Sequence, residues 1–99
     1  MDATETHEIY DALKLFSRIG KVMTEQIDGG KTRIFIEGCI KAGGGLTLPC
    51  EAFGDNVNEV IIQLLWDLQD LPEGHYVMNA KGSRLRLVNN MWSRIDRTK

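Results

Sequence analysis

The sequence predicts an α+β fold in which two helices cover one face of an antiparallel sheet of about five strands. Apolar residues recur at helical spacing in two segments, and they alternate with polar residues in the segments that follow. Turns rich in glycine or containing proline separate these segments, which gives the order α-β-β-β-α-β-β. A chain of 99 residues, 42% hydrophobic and 26% charged, fits one globular domain over residues 1–99 that ends in a short basic tail at 90–99.

The first helix is predicted over residues 4–19. Glu5 and Glu8 lie in its first turns, where the helix dipole favours negative charge, and Gly20 follows as a stop signal. Its apolar residues recur at helical spacing and define the face that we expect to be buried. They are Ile9, Ala12, Leu13, Phe16 and Ile19.

Alternating apolar and polar residues then predict three strands, at residues 21–27, 31–40 and 46–53. Short glycine turns join these strands, so consecutive strands are expected to pair antiparallel. The third strand contains Pro49, which has no backbone N–H to donate. We therefore expect this strand to lie at the edge of the sheet or to carry a bulge.

The apolar pattern also predicts how the second and third strands pair. A three-residue loop at 43–45 sets Ile40 opposite Leu48 and keeps the apolar residues of both strands on one face. The same register sends Cys39 and Cys50 to opposite faces of the sheet. It therefore forbids a disulfide between them.

The second helix is predicted to begin at Asn56, because Asn56 and Glu59 have the spacing of a capping box. It ends at residues 71–74, where Leu-Pro-Glu-Gly stops helical propagation. One side of this helix is apolar and is expected to face the sheet. That side holds Val57, Val60, Ile61, Leu64, Leu68 and Leu71.

A closing hairpin is predicted from strands at 75–80 and 83–89 around a turn at 81–82. This register assigns each residue of the hairpin to one face of the sheet. The inner face then holds Tyr76, Met78, Leu85 and Leu87, and the outer face holds Val77, Asn79, Arg84, Arg86 and Val88.

The second helix has a bulky apolar residue on its other side. At 100° per residue, Trp66 points almost directly away from the face expected to be buried, and Ile62 lies beside it. One interpretation is that the first helix folds over Trp66 within the monomer. The other is that Trp66 is exposed for a partner, since tryptophan is enriched among the residues that dominate binding energy. A homodimer is the simplest such partner arrangement.

The outer sheet face is predicted to combine basic and aromatic side chains, namely Arg33 and Phe35 on the second strand and Arg84 and Arg86 on the last hairpin. Such a face can stack bases and hold phosphates in the manner of single-strand binders. It can equally be a solvated face or a protein contact. The glycine-aromatic signature of an RNA-recognition motif is absent from the sequence, so nucleic acid ranks below a protein partner.

Charge is unevenly distributed along the chain. Residues 1–80 hold six Lys and Arg against thirteen Asp and Glu, a balance of −7, while residues 81–99 hold six Lys and Arg against one Asp, a balance of +5. A basic end of this kind indicates an interaction with phosphates, with an acidic protein patch or with the acidic part of the same chain. The acidic remainder would repel a nucleic-acid backbone, which again favours a protein target.

The sequence contains no motif for catalysis, cofactor binding or metal binding. The glycine run at 43–45 lacks the Lys-Ser/Thr of a phosphate loop, and His7 and His75 are isolated from each other and from Cys39 and Cys50. We therefore expect no enzyme activity, no cofactor and no metal. There is no apolar stretch long enough to span a membrane and no secretory leader, so we expect a cytoplasmic protein with free thiols.

These observations predict a small non-catalytic module that occupies a protein partner. The expected contacts are Ile62, Trp66, Arg84, Arg86, Trp92 and Arg94. The alternative is a nucleic-acid-binding protein that uses Arg33, Phe35, Arg84 and Arg86. The small size and the lack of catalytic motifs would also suit an accessory or inhibitor protein of a phage or another mobile element.

Overall fold

A computed structural model describes residues 3–95 of the chain, with side chains from residue 8 onward. Within this part, two helices pack on one face of a six-stranded antiparallel sheet. This confirms the α+β class and the element order predicted from the sequence, with one strand added at the end. The helices are α1 (Ala3–Ser17) and α2 (Val57–Gln69). The strands are β1 (Val22–Ile27), β2 (Lys31–Lys41), β3 (Thr47–Gly54), β4 (Tyr76–Met78), β5 (Arg84–Val88) and β6 (Met91–Arg94).

The buried core lies between the helices and the inner face of the sheet. α2 contributes the largest share, along the side that its apolar spacing predicts. The core residues are Ala12, Phe16, Ile19, Ile34, Ile36, Cys50, Ala52, Val60, Ile61, Leu64, Leu65, Leu68, Val77 and Leu87. Two residues that the spacing assigned to buried faces, Leu13 and Val57, are instead exposed. Leu13 lies at the edge of the buried arc of α1, and Val57 is the first residue of α2.

The predicted start of α2 is confirmed. The Asn56 side-chain oxygen accepts a hydrogen bond from the Glu59 backbone N–H at 2.9 Å, and its amide donates to the Glu59 carboxylate at 3.2 Å. The first bond satisfies a backbone N–H that the first turn of a helix leaves unpaired, and the second joins the two side chains. Neither helix in residues 3–95 is long and apolar enough to cross a membrane.

β2 is the central strand, and the sheet branches around it. One edge of β2 pairs with β3, while the other edge pairs first with β1 and then with β4. The β2–β3 register shifts between Ile36 and Cys39, directly opposite Pro49. β3 pairs with no other strand of the described residues, so the edge position that Pro49 predicts occurs, whereas the two extra residues of the bulge, Glu37 and Gly38, lie in β2 and not in β3.

The register near the glycine turn is also confirmed. Ile40 pairs with Leu48, and the Ala42 N–H donates to the Leu46 carbonyl at 2.8 Å. Cys39 and Cys50 lie on opposite faces and are free thiols. Burial in the core raises the pKa of Cys50 to about 12, and the charge of Cys39 on β2 makes a smaller contribution in the same direction.

The predicted register of the last hairpin is wrong by one residue. Val77 pairs with Leu85, so Val77 points into the core and is fully buried, while its neighbours in β4 face outward. The Asn79 side-chain oxygen accepts hydrogen bonds from the N–H groups of Lys81 and Ser83, at 3.0 and 2.8 Å. This side chain closes a three-residue loop where the sequence pattern had suggested two residues, and a one-residue slip exchanges the two faces of a strand.

The segment predicted as a basic tail begins as a strand. Asn89 and Asn90 both have positive φ, 51° and 61°, as a tight hairpin turn requires, and β6 follows antiparallel to β5. Trp92 pairs with Leu87 on the inner face, and its indole N–H donates to the Leu15 carbonyl of α1 at 2.8 Å. Residues 96–99 of the predicted tail lie outside the described residues.

Candidate partner-binding surfaces

The outer side of α2 exposes a large apolar residue. Trp66 is 57% exposed, whereas five other residues of α2 are buried in the core. Ile62, one turn earlier, is half-buried, and together with Val57 and Trp66 it lines a depression along the helix. We call these three residues, Val57, Ile62 and Trp66, the Trp66 surface.

α1 lies beside Trp66 and does not cover it. The two helices form a second groove that is lined by Ala12 and Leu15 on α1 and by Leu65 and Trp66 on α2. The indole therefore stands between two depressions. Of the two interpretations of Trp66 drawn from the sequence, the structure shows the exposed one.

Among the described residues, the charged side chains that line the two depressions beside Trp66 are all carboxylates. Glu59 lines the first depression, and Glu8 and Asp11 line the groove between the helices. Asp70, four residues after Trp66 at the end of α2, follows on the same side of the helix. We call these exposed residues the acidic rim: Glu8, Asp11, Glu59 and Asp70.

Arg86, predicted as a partner or nucleic-acid contact, is held by the protein itself. Its guanidinium donates to the backbone carbonyls of Leu71, Pro72 and His75, at 3.0, 3.0 and 2.6 Å. These carbonyls belong to the connection that follows α2 and its cap residue Asp70 and leads to β4. The geometry gives Arg86 the role of fixing this connection to the sheet.

The other predicted C-terminal contacts are dispersed. Trp92 packs against α1 on the inner side of the sheet, as described above. Arg84 stacks over the Tyr76 ring on the outer face, with 5.5 Å between the guanidinium carbon and the ring centroid. Arg94 pairs with Leu85 in the sheet and lines a shallow depression that also includes Trp92. Arg84 and the Trp66 surface therefore lie on opposite sides of the sheet.

The proposed nucleic-acid platform on β2 is already occupied by carboxylates. Arg33 lies between Glu25, at 2.6 Å, and Glu51, at 2.8 Å, and its guanidinium carbon is 4.8 Å from the centroid of the Phe35 ring. The hydrogen bonds that Arg33 donates to Glu51 and then to Glu25 raise the pKa of Arg33 above its ordinary value. A phosphate would have to displace both carboxylates in order to reach this guanidinium.

The outer sheet face also exposes four apolar side chains, of which the sequence pattern had assigned only Val88 to this face. Met23 and Phe53 flank β2, and Val88 pairs with Met91 at the far end of the sheet. The alternation along β1 and β3 contained this signal, because it assigns Met23 and Phe53 to the same face as Phe35.

Within the residues whose side chains are described, no group of three or more His, Cys, Asp or Glu residues is arranged to hold a metal ion. No protein-family model, curated protein or solved structure matches this chain. The surfaces themselves are therefore the basis of the functional proposal.

Proposed function

We propose that this protein is a small non-catalytic module that acts by binding and occupying a protein partner through the Trp66 surface. The observation that supports this proposal is the 57% exposure of the Trp66 side chain on the side of α2 that faces away from the core. A tryptophan offers about 150–250 Å² of contact area and loses little conformational freedom when it is bound. It is one of the residue types that most often dominate a protein interface.

The size of this exposed surface fits a binding role. Burying the exposed part of Trp66 against a partner would stabilise a complex by about 2–4 kcal/mol, at about 25 cal/mol per Å². A single contact of that size is typical of an interface hot spot. Ile62 and Val57 would extend the contact along the helix.

The arginine residues contribute less to the proposal than the sequence suggested. Arg86 is bound to three backbone carbonyls and Arg33 to two carboxylates, so neither is poised for phosphate. This arrangement favours a protein partner over nucleic acid. A cytoplasmic location belongs to the same proposal.

The experiment compares Trp66→Ala with a matched control, Tyr10→Ala, in which an aromatic residue of similar exposure is removed from α1. Both variants should keep the far-UV circular dichroism of the wild type and melt within about 4 °C of it, because exposed substitutions change stability little. Affinity capture from the native host, with quantitative mass spectrometry, should show a partner retained by wild type and by Tyr10→Ala and lost by Trp66→Ala. Equal capture by both variants, or unfolding of Trp66→Ala, would contradict the proposal.

A further inference from the structure

The Trp66 surface combines an exposed indole with an environment of negative charge. α2 contains no Lys or Arg, and among the residues whose side chains are described, neither depression beside Trp66 is lined by a basic one. Lys14 on α1 and Arg18, which follows the helix, line an adjoining groove against β6 that shares Asp11 and Leu15 with the groove between the helices. Trp66 also lies in the last turn of α2, where the helix dipole adds partial negative charge.

We infer that the Trp66 surface binds a basic protein segment that has an apolar anchor. An Arg or Lys side chain of the segment stacks on the indole, which is the aromatic ring that attracts cations most strongly. Neighbouring cations pair with the acidic rim, while an apolar side chain of the segment packs against Ile62. This inference rests on the proposed function and adds the chemistry of the partner to it.

The same charges disfavour the other occupants of this surface. Two copies of the chain that meet through α2 would bring both acidic rims together, and like charges across an interface are costly. A nucleic acid would place phosphates beside the same carboxylates. A basic protein segment is the occupant whose charge complements the rim.

The test uses a defined probe, a fluorescein-labelled amphipathic peptide of about 18 residues, roughly five helical turns, built from Leu and Arg at helical spacing. Its matched control has Glu in place of every Arg. Fluorescence anisotropy of the full chain with each peptide should show binding of the Arg peptide only. Binding should weaken at least about ten-fold between about 50 and about 500 mM NaCl, because exposed charge pairs are screened.

Three variants locate the binding site. Trp66→Ala should lower the affinity for the Arg peptide by about thirty-fold, which is the effect of losing a hot-spot residue. Asp11→Asn/Asp70→Asn removes two charges of the acidic rim and should lower the affinity for the Arg peptide by about five-fold, since exposed charge pairs each contribute little. Asp28→Asn/Glu37→Gln removes two exposed charges elsewhere on the chain and should leave binding within about two-fold of wild type.

Three results would overturn the inference: equal binding of the Glu peptide, equal weakening by the two double variants, or binding that survives Trp66→Ala. Self-association of the chain through Trp66 in sedimentation experiments, or binding of single-stranded DNA that Trp66→Ala abolishes, would also overturn it. A host partner that needs Trp66 but is insensitive to salt and to Asp11→Asn/Asp70→Asn would leave the proposed function standing and refute only the basic chemistry of the partner.

Discussion

Replacing Arg86 with alanine is expected to destabilise the fold by about 2–4 kcal/mol. The guanidinium donates three hydrogen bonds to carbonyls of the α2–β4 connection, and those to Leu71 and His75 are part-buried. A hydrogen bond from a charged donor contributes about 1.5–3 kcal/mol when it is well shielded. We take about 1–2 kcal/mol for each part-buried bond and less for the exposed bond to Pro72, because water can replace the donor there.

Urea unfolding followed by far-UV circular dichroism measures this change. Arg86→Lys should lie between wild type and Arg86→Ala, because an ammonium group can satisfy fewer of the three carbonyls than the planar fork of arginine does. Arg84→Ala is the matched control, since the Arg84 side chain stacks on the Tyr76 ring and does not reach the α2–β4 connection. A cation over an exposed ring contributes about 0.5–1 kcal/mol, so the urea midpoint of Arg84→Ala should stay near that of wild type.

Equal urea midpoints for Arg86→Ala and Arg84→Ala would refute the structural role of Arg86. The same conclusion would follow if Arg86→Ala kept wild-type stability but abolished binding of single-stranded DNA, because Arg86 would then act as the phosphate contact that the sequence had suggested.

Two further predictions test the core and the bulge. In the native protein at about pH 8, a thiol reagent should modify Cys39 and spare Cys50, because burial raises the pKa of Cys50 to about 12. Burial of the neutral Cys50 thiol therefore contributes to the stability of the fold. That contribution is complete below the ordinary pKa of 9.0 and is lost as the pH rises from there towards about 12. Equal reaction rates of both thiols would contradict it. Gly38→Ala should lower the free energy of unfolding by about 1–3 kcal/mol, because a Cβ there would lie 2.5 Å from Ile19 Cγ2. Gly43→Ala, where the nearest atom is 3.8 Å away, should have little effect, and matching urea midpoints for the two variants would refute this reasoning.

The direction of Trp66 could be predicted from the sequence, whereas its exposure could not. Helical spacing places Trp66 opposite the buried side of α2. Whether another element covers that side depends on where α1 packs, and α1 settles beside Trp66. The acidic rim follows for the same reason, because Glu8 and Asp11 reach the indole only through the packing of the two helices.

Arg86 shows the same limit for a polar residue. Alternation along β5 predicts that the Arg86 side chain projects from the outer face of the sheet, and the structure agrees. The carbonyls that it binds come from residues 71–75, which the fold brings to this edge of the sheet. A pattern along one strand contains no information about acceptors that arrive from another segment.

Local sequence patterns were enough to predict the fold class, the start of α2, the register at the glycine turn and the opposite faces of the two cysteines. These features depend on contacts between residues close in the chain, or on periodicity that one segment displays alone. Tertiary structure decided the burial of Val77, the docking of Trp92 on α1 and the open position of Trp66. Each of these depends on a loop geometry or on a neighbouring element distant in sequence, and so the free energy that selects it arises only when the whole domain is assembled.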